Sequence, residues 1–165
     1  MAWTKKIHIG GIFCDLTKAF DCVNHDILIA KLEHYGIQDA ALNWFKSYWI
    51  DRKQSIKINV NRNQTHSSTC GTVKQGVPQG TVLGPLLFIM YINDLPKSIS
   101  HDFNITLFAD DTSVLVTDKD YTKFKQKMNS VLTSLGRWFT ANQLMLNITK
   151  TSVIKFTPKL QYTYP

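Results

Sequence analysis

Two adjacent aspartates, Asp110 and Asp111, lie in the segment FADDTSVLV (residues 108–116), between short apolar stretches. Because the flanks are rich in β-branched and aromatic residues, residues 105–116 are predicted to form a hairpin with the acidic pair at its tip. Aspartate is unfavourable in strands and neighbouring carboxylates repel each other, which predicts a positive charge beside them. Alternatively, either residue serves only the turn, since aspartate is common in tight turns.

A third carboxylate, Asp15, ends the apolar run IGGIFCDL (residues 9–16), where burial would normally exclude a charge. Asp15 caps the next turn or pairs with a lysine, or it acts together with the hairpin aspartates. If its strand lies beside the hairpin, three carboxylates converge and need a cation between them. Mg²⁺ is bound by one or two carboxylates plus waters and phosphates, and two such ions about 4 Å apart suit in-line phosphoryl transfer.

Other kinds of ligand site fit the sequence less well. Cys22 and His25 lack the second pair of ligands that a zinc site requires. Residues 118–129 begin like a calcium loop, but the sixth position is Lys123 instead of glycine. The glycine-rich segment 76–84 lacks the Gly-Lys-Ser/Thr ending of a phosphate-binding loop, although its glycines would let the backbone approach a ligand closely.

The elements that must position these residues are a mixture of strands and helices. Apolar patterns of strand type predict strands over 5–16, 54–60 and 151–156, with 68–73 as a partner of the second. Helical spacing and capping residues predict four helices: one capped by Asp26 and stopped by Gly36, one capped by Asp39 that runs to Trp49, a buried one over 86–95 ended by Pro96, and an amphipathic one over 121–139. Because strands and helices do not alternate strictly, the predicted fold class is α+β.

The composition is that of an ordinary globular domain, with 165 residues of which 44% are hydrophobic and 19% charged. The net charge of +7 permits a polyanionic partner, although a solvated basic surface explains it as well. No segment reaches the ~20 apolar residues of a membrane span, so no membrane association is predicted. Three cysteines without a C-x-x-C motif predict an intracellular location, cytoplasmic or nuclear, and no secretion.

Four motifs, in this order, resemble the consecutive palm motifs of reverse transcriptases, in the variant of jockey-like, long-interspersed non-LTR retrotransposons. They occupy residues 13–37, 73–96, 108–116 and 142–156. The resemblance implies one domain over residues 1–165 with a palm core at about 7–157, an antiparallel sheet packed on helices and part of the fingers. It also implies that the N-terminal part of the fingers, the thumb and an endonuclease are absent from this chain.

The resemblance assigns the chemistry to particular residues. It implies that Asp15 and Asp110 bind two Mg²⁺ ions, with Asp111 close to the metals and Mn²⁺ as a substitute ion. Lys150 matches the lysine that neutralises or protonates departing pyrophosphate; alternatively it is a surface lysine. Phe20 matches the steric gate that would clash with a ribose 2′-hydroxyl, or else it is a core residue.

The resemblance also implies which residues meet the substrates. Gln79 and Gly80 match the segment that lies against the incoming nucleotide and the template. Arg52, with Gln54, matches a signature expected to contact the template. The implied partners are an RNA template, a DNA primer and dNTPs.

The predicted function is therefore RNA-directed DNA polymerisation by a retrotransposon enzyme. The isolated chain is expected to extend primers hardly at all, because little would hold primer and template without the flanking lobes. The alternative is a non-catalytic palm remnant that binds nucleic acid or a protein partner.

Overall fold

A computed structural model describes residues 7–61, 64–99 and 103–156 of the chain. The strands are β1 (His8–Cys14), β2 (Leu16–Thr17), β3 (Lys53–Gln54), β4 (Lys57–Asn61), β5 (Gln64–Ser67), β6 (Gly71–Thr72), β7 (Asn104–Phe108), β8 (Asp111–Asp118), β9 (Met145–Leu146) and β10 (Ser152–Phe156). The helices are α1 (His25–His34), α2 (Asp39–Trp49), α3 (Leu83–Ile92), α4 (Leu95–Ser98) and α5 (Tyr121–Ala141), with a 3₁₀ helix at Ala19–Cys22. These elements form two compact units: Phe20–Tyr91 is one, and the described residues before and after it form the other.

The discontinuous unit is built on a four-stranded antiparallel sheet in the order β10-β1-β8-β7. Its inner strands alternate, so that Ile12, Val114 and Val116 are fully buried. The predicted hairpin over 105–116 is confirmed as β7 and β8, and the predicted strands at the two ends of the chain are confirmed as β1 and β10. Residues 5 and 6 of the first predicted strand lie outside the described residues.

The helix α5 packs against β1 and β8, as its apolar stripe predicts. Phe124, Val131, Leu135 and Phe139 are among its buried residues. The helix also approaches β1 closely at Gly10, where an added Cβ would lie 2.8 Å from Phe124 Cζ. The apolar stripe of α5 therefore forms the core of this unit together with the sheet, and the helix covers one face of that sheet.

The continuous unit contains α1, α2, most of α3 and two small ribbons, in which β3 pairs with β6 and β4 with β5. The strand predicted over 54–60 is thus divided, and 68–73 is not the partner of its second half. Most of β4 is exposed, so no buried face selected a single register from the alternating pattern.

The apolar segment predicted as a fully buried helix is buried on one side only. Leu87, Phe88 and Tyr91 are fully buried in α3, but Leu86 and Ile89 are 49% and 54% exposed. The helix ends at Ile92, and Pro96 lies in the first turn of the short α4 instead of ending α3. The prediction was wrong because an all-apolar segment carries no periodic signal that identifies its solvent side.

The N-terminal cap of α1 is Asn24, not the predicted Asp26. The Asn24 side-chain oxygen accepts hydrogen bonds from the backbone N–H groups of Asp26 and Ile27, at 2.9 and 3.0 Å. Asp26 instead occupies the first helical turn. Asp39, predicted to cap α2, is likewise the first residue of its helix, and the cap position is held by Gln38. The predicted stop at Gly36 is confirmed, since this residue follows the helix with a φ of 91°.

We expect Asn24→Ala to lower the free energy of unfolding by about 1 kcal/mol, the usual cost of removing a helix cap. Asp26→Ala should change it by about zero, because the lost charge–dipole attraction is offset by the better helix propensity of alanine. Urea denaturation of both variants followed by circular dichroism measures the difference. Equal losses in the two variants would contradict the cap assignment.

Candidate active site

The end of β1 places Asp15 beside the hairpin of β7 and β8. Cys14 pairs with Thr112 in the last pair of the β1–β8 register, and Asp15 follows Cys14 directly in the chain. The Asp15 side chain is 25% exposed. Because cross-strand neighbours share one level of the sheet, Asp15 lies at the level where the hairpin turns.

The hairpin tip carries the other two predicted carboxylates. Phe108 pairs with Asp111, so that Ala109 and Asp110 form a two-residue turn. Ala109 has a φ of 51°, which such turns demand but which is strained for a residue with a Cβ atom. Asp110 is half-buried and Asp111 is exposed. The structure thus brings Asp15, Asp110 and Asp111 to one end of the sheet.

Lys150 reaches the same place from a different part of the chain. The pairing of β2 with β9 sets Leu16 against Leu146, and the backbone N–H of Asn147 donates to the Asp15 carbonyl at 2.8 Å. The turn that follows holds Lys150, whose Nζ lies 3.5 Å from Asp15 Oδ2. The sequence-based alternative in which Asp15 pairs with a lysine is therefore confirmed, and the assignment of both residues to a reactive site stays a prediction.

One carboxylate oxygen at this site is incompletely satisfied. Asp15 Oδ2 is buried and makes no hydrogen bond among the described residues, and the Lys150 ammonium lies 3.5 Å from it, near the limit of ion-pair distance. Within the three described stretches, no three His, Cys, Asp or Glu side chains form a complete metal-binding group. Mg²⁺ needs only one or two carboxylates when substrate phosphates and waters complete its shell, so the Asp15 oxygen fits this ion.

Two titratable neighbours of the sheet do not belong to this group. Burial raises the pKa of the Cys14 thiol to about 11, so the thiol is protonated at neutral pH and packs as an apolar side chain. Lys127 Nζ lies 2.8 Å from Asp118 Oδ2, and its hydrogen bond lowers the pKa of Asp118. The backbone N–H of Asp120 also donates to this carboxylate and lowers the pKa further. The Asp118 carboxylate is thus bound by Lys127 and by the backbone N–H of Asp120 near the start of α5.

The remaining predicted residues lie in the continuous unit. Phe20 is half-buried, and its ring lies 4.7 Å from that of Phe88 between centroids, with a tilt of 31°. The Phe20 carbonyl accepts the backbone N–H of Val77 at 2.8 Å. Phe20 therefore has the packing expected of a core residue, while part of its surface stays accessible.

Arg52 and Gln79, which are far apart in the sequence, line one cavity of about 300 Å³. Gln79 Nε2 donates to Asp21 Oδ1 at 3.1 Å, and the Arg52 guanidinium lies 4.7 Å from the centre of the Tyr48 ring. Asp21 was not among the predicted site residues, and no pattern in the sequence indicates that it holds Gln79.

Gly80, next to Gln79, has a φ of 77° and open space where a Cβ would be. The glycine therefore serves a backbone conformation and leaves room above the chain, as the sequence suggested for this segment.

An aspartate directly after a strand, beside a hairpin that carries two more, is the arrangement that the resemblance to reverse transcriptases implies for the palm. The chain is a member of the reverse transcriptase (RNA-dependent DNA polymerase) family, whose family model matches residues 2–163. The resemblance to reverse transcriptases is thereby confirmed.

The relatives indicate which branch of that family the chain resembles. It is 31% identical to the probable RNA-directed DNA polymerase from transposon BS of Drosophila melanogaster, over 96% of this chain and 17% of that protein. It is 28% identical to the RNA-directed DNA polymerase from mobile element jockey of Drosophila funebris, over 94% of this chain and 17% of that protein. The jockey-like resemblance is confirmed, and the chain spans 17% of the length of both relatives.

Solved structures support the fold. The apo telomerase of Candida tropicalis, truncated from its C-terminal domain, matches 92% of this chain and 31% of its own with a TM-score of 0.61 at 14% identity. A complex of Candida tropicalis telomerase with a telomeric RNA fragment matches with a TM-score of 0.59. The predicted α+β palm is confirmed. None of the described helices is both long and apolar enough to cross a membrane.

Proposed function

We propose that this chain is the catalytic palm of an RNA-directed DNA polymerase. The supporting observation is the junction of three chain segments at one end of the sheet: Asp15 after β1, the Asp110–Asp111 tip, and Lys150 at 3.5 Å from Asp15. Each segment lies in a different motif, so their meeting is a property of the fold. In the reaction, a primer 3′-hydroxyl attacks the α-phosphorus of a dNTP, and pyrophosphate leaves.

The carboxylates of Asp15 and Asp110 would hold two Mg²⁺ ions, with Asp111 beside them. Bound Mg²⁺ would make the primer hydroxyl a better nucleophile and neutralise charge on the phosphates. The buried Oδ2 atom of Asp15 makes no hydrogen bond within the described residues, which supports its proposed role as a metal ligand. The exposed ammonium of Lys150 would donate a proton or stabilise charge on the leaving pyrophosphate.

The continuous unit would supply the substrate contacts. Arg52 and Gln79 border a cavity whose polar lining includes Gln54 and Gln75, which suits contact with the template and the incoming nucleotide. Gly80, which has no side chain, would let the template strand approach the protein backbone closely. The partners proposed are an RNA template, a DNA primer and dNTPs.

Primer extension tests the proposed reaction. The sharpest form is a chimera in which this chain replaces the matched part of the Drosophila funebris jockey polymerase, because the relative supplies the remaining lobes. We expect extension of a DNA primer on an RNA template that requires both dNTPs and Mg²⁺. A folded chimera that binds primer–template but adds no nucleotide would contradict the proposal and favour a non-catalytic remnant.

Phe20 is proposed to exclude ribonucleotides, and Phe20→Val tests this. A smaller side chain would leave room for the 2′-hydroxyl, so the ratio of ribonucleotide to deoxyribonucleotide incorporation by the chimera should rise at least about 10-fold. The ratio cancels any loss of folded enzyme caused by weaker packing on Phe88. Phe20→Tyr, which keeps the ring, is the matched control. An unchanged ratio in Phe20→Val would make Phe20 a core residue only.

A further inference from the structure

A second candidate site, lined by apolar and basic residues, lies between α5 and the edge of the sheet. The helix packs on β1 and β8, whereas β10 lies beyond β1 at the sheet edge. A cavity of about 330 Å³ opens in this gap, with Phe124, Met128 and Val153 among its apolar walls. The polar residues that line it are Asn129, Lys125 and Lys155. None of these residues takes part in the proposed polymerase chemistry.

The ammonium groups of both lysines lie close to the same aromatic ring. Lys125 Nζ lies 4.6 Å and Lys155 Nζ 4.4 Å from the centre of the Tyr121 ring. Their charges are thus within roughly 9 Å of each other, because both distances end at the same centroid. The attraction of both cations to the ring offsets part of their repulsion. In the described part of the chain neither ammonium has a carboxylate partner, so an anion that bridges them would be bound favourably.

We propose that this site, named here the α5–β10 cavity, binds one nucleotide of a single-stranded nucleic acid. The backbone phosphates would contact Lys125 and Lys155, and a base would enter the cavity. A base offers flat apolar faces to Val153 and Ile154, which are 53% and 44% exposed, and a polar edge to the Asn129 amide, which can both donate and accept. An acidic peptide would match the charges, but it has no flat ring for the apolar walls.

The α5–β10 cavity is separate from the three aspartates. Lys155 pairs with Gly10, which precedes Asp15 by five residues, or about 17 Å of extended strand. Gly10 faces α5, since its Cβ position meets Phe124 and Met128. Asp15, an odd number of positions later, would point to the other face if the alternation of β1 continues. A strand bound here is thus a contact additional to the primer and template at the hairpin tip, and it does not depend on the proposed catalysis.

The test is fluorescence anisotropy of a labelled 12-nucleotide single-stranded RNA with the 165-residue chain, in EDTA and at several KCl concentrations. Lys125→Gln/Lys155→Gln should bind about 10-fold more weakly or worse, and should lower the slope of log affinity against log salt by ~1.4, or ~0.7 for each lost phosphate contact. Asn129→Leu should weaken binding without changing that slope. Lys57→Gln/Lys97→Gln, two exposed lysines elsewhere, is the matched control and should leave the slope unchanged.

Three further arms identify the occupant. An abasic 12-mer should bind at least about 5-fold more weakly than the RNA, because it leaves the cavity empty. A polyglutamate peptide and 1 mM AMP should leave most of the RNA bound. Equal losses in the two lysine double variants, equal binding of the abasic strand, or displacement by either competitor would overturn the assignment.

Two controls separate this result from other failures. Circular dichroism melts of each variant exclude loss of folding as the cause of weak binding. The EDTA condition is the second control: RNA binding there requires neither Mg²⁺ nor dNTPs, so failure of the polymerase proposal and failure of this one give different results.

Discussion

Asp15→Asn should reduce primer extension by the chimera at least about a thousandfold. The substitution keeps the size of the side chain but removes the negative charge, and metal-based stabilisation of the transition state amounts to several kcal/mol, at about 1.4 kcal/mol for each factor of ten. Asp15 Oδ2 is already buried and makes no hydrogen bond, so an amide there has no new partner to gain. The measurement is the single-turnover rate of dNTP addition on an RNA template.

The control for this experiment is Asp26→Asn, which changes an exposed carboxylate in the first turn of α1. It should leave the rate within about twofold, since a surface charge away from special features has little effect. Mn²⁺ titration of the isolated chain, followed by electron paramagnetic resonance, gives a second readout without any substrate. Normal extension by Asp15→Asn would remove this residue from the chemistry.

Gly84→Ala should destabilise the chain by about 1 to 3 kcal/mol, which is the usual cost of forcing extra atoms into a packed site. Gly84 lies at the start of α3, and an added Cβ would overlap the carbonyl oxygen of Pro78. The obstacle is backbone, and Thr81 already ties this turn to both Pro78 and Gly84 by hydrogen bonds of 2.9 and 3.1 Å. Relief would therefore displace the turn that carries Gln79.

Gly136→Ala is the matched comparison, because it is the same substitution in another helix. Among the described residues, no atom outside its own helix lies within 4 Å of the added Cβ, so this variant should gain about 0.5 to 1 kcal/mol from reduced backbone entropy and better helix propensity. Urea denaturation measures both changes. A neutral Gly84→Ala would show that the turn over 78–84 can move without cost, and that it does not fix the position of Gln79.

The parts of the fold that the sequence predicts best are those with a strong periodic signal. The apolar stripe of α5 and the alternation around the hairpin leave one solution each, because any other phase would expose large side chains. The α3 segment shows the opposite case. Leu86 and Ile89 are as apolar as their buried neighbours, so their exposure is set by tertiary packing that local sequence does not encode.

The candidate site was predictable to the extent that its residues lie in short motifs. The position of Asp15 near the hairpin tip follows from a strand that ends where the hairpin turns. The link between Gln79 and Asp21, 58 residues apart, and the shared cavity with Arg52 were not predictable, because they depend on how loops meet. The contact of Lys125 and Lys155 with Tyr121 was not predictable for the same reason, because it joins a helix to an edge strand.

The border position of β10 has a practical effect on the behaviour of the chain. Its backbone groups on one side have no sheet neighbour in the described residues, and Val153 and Ile154 are 53% and 44% exposed. A second copy could align there and extend the sheet across molecules, with precipitation as the end point. Within β10, Lys155 is the charged residue that opposes this edge-to-edge pairing. Variants that neutralise Lys155 should therefore be kept at low protein concentration and checked for self-association by light scattering.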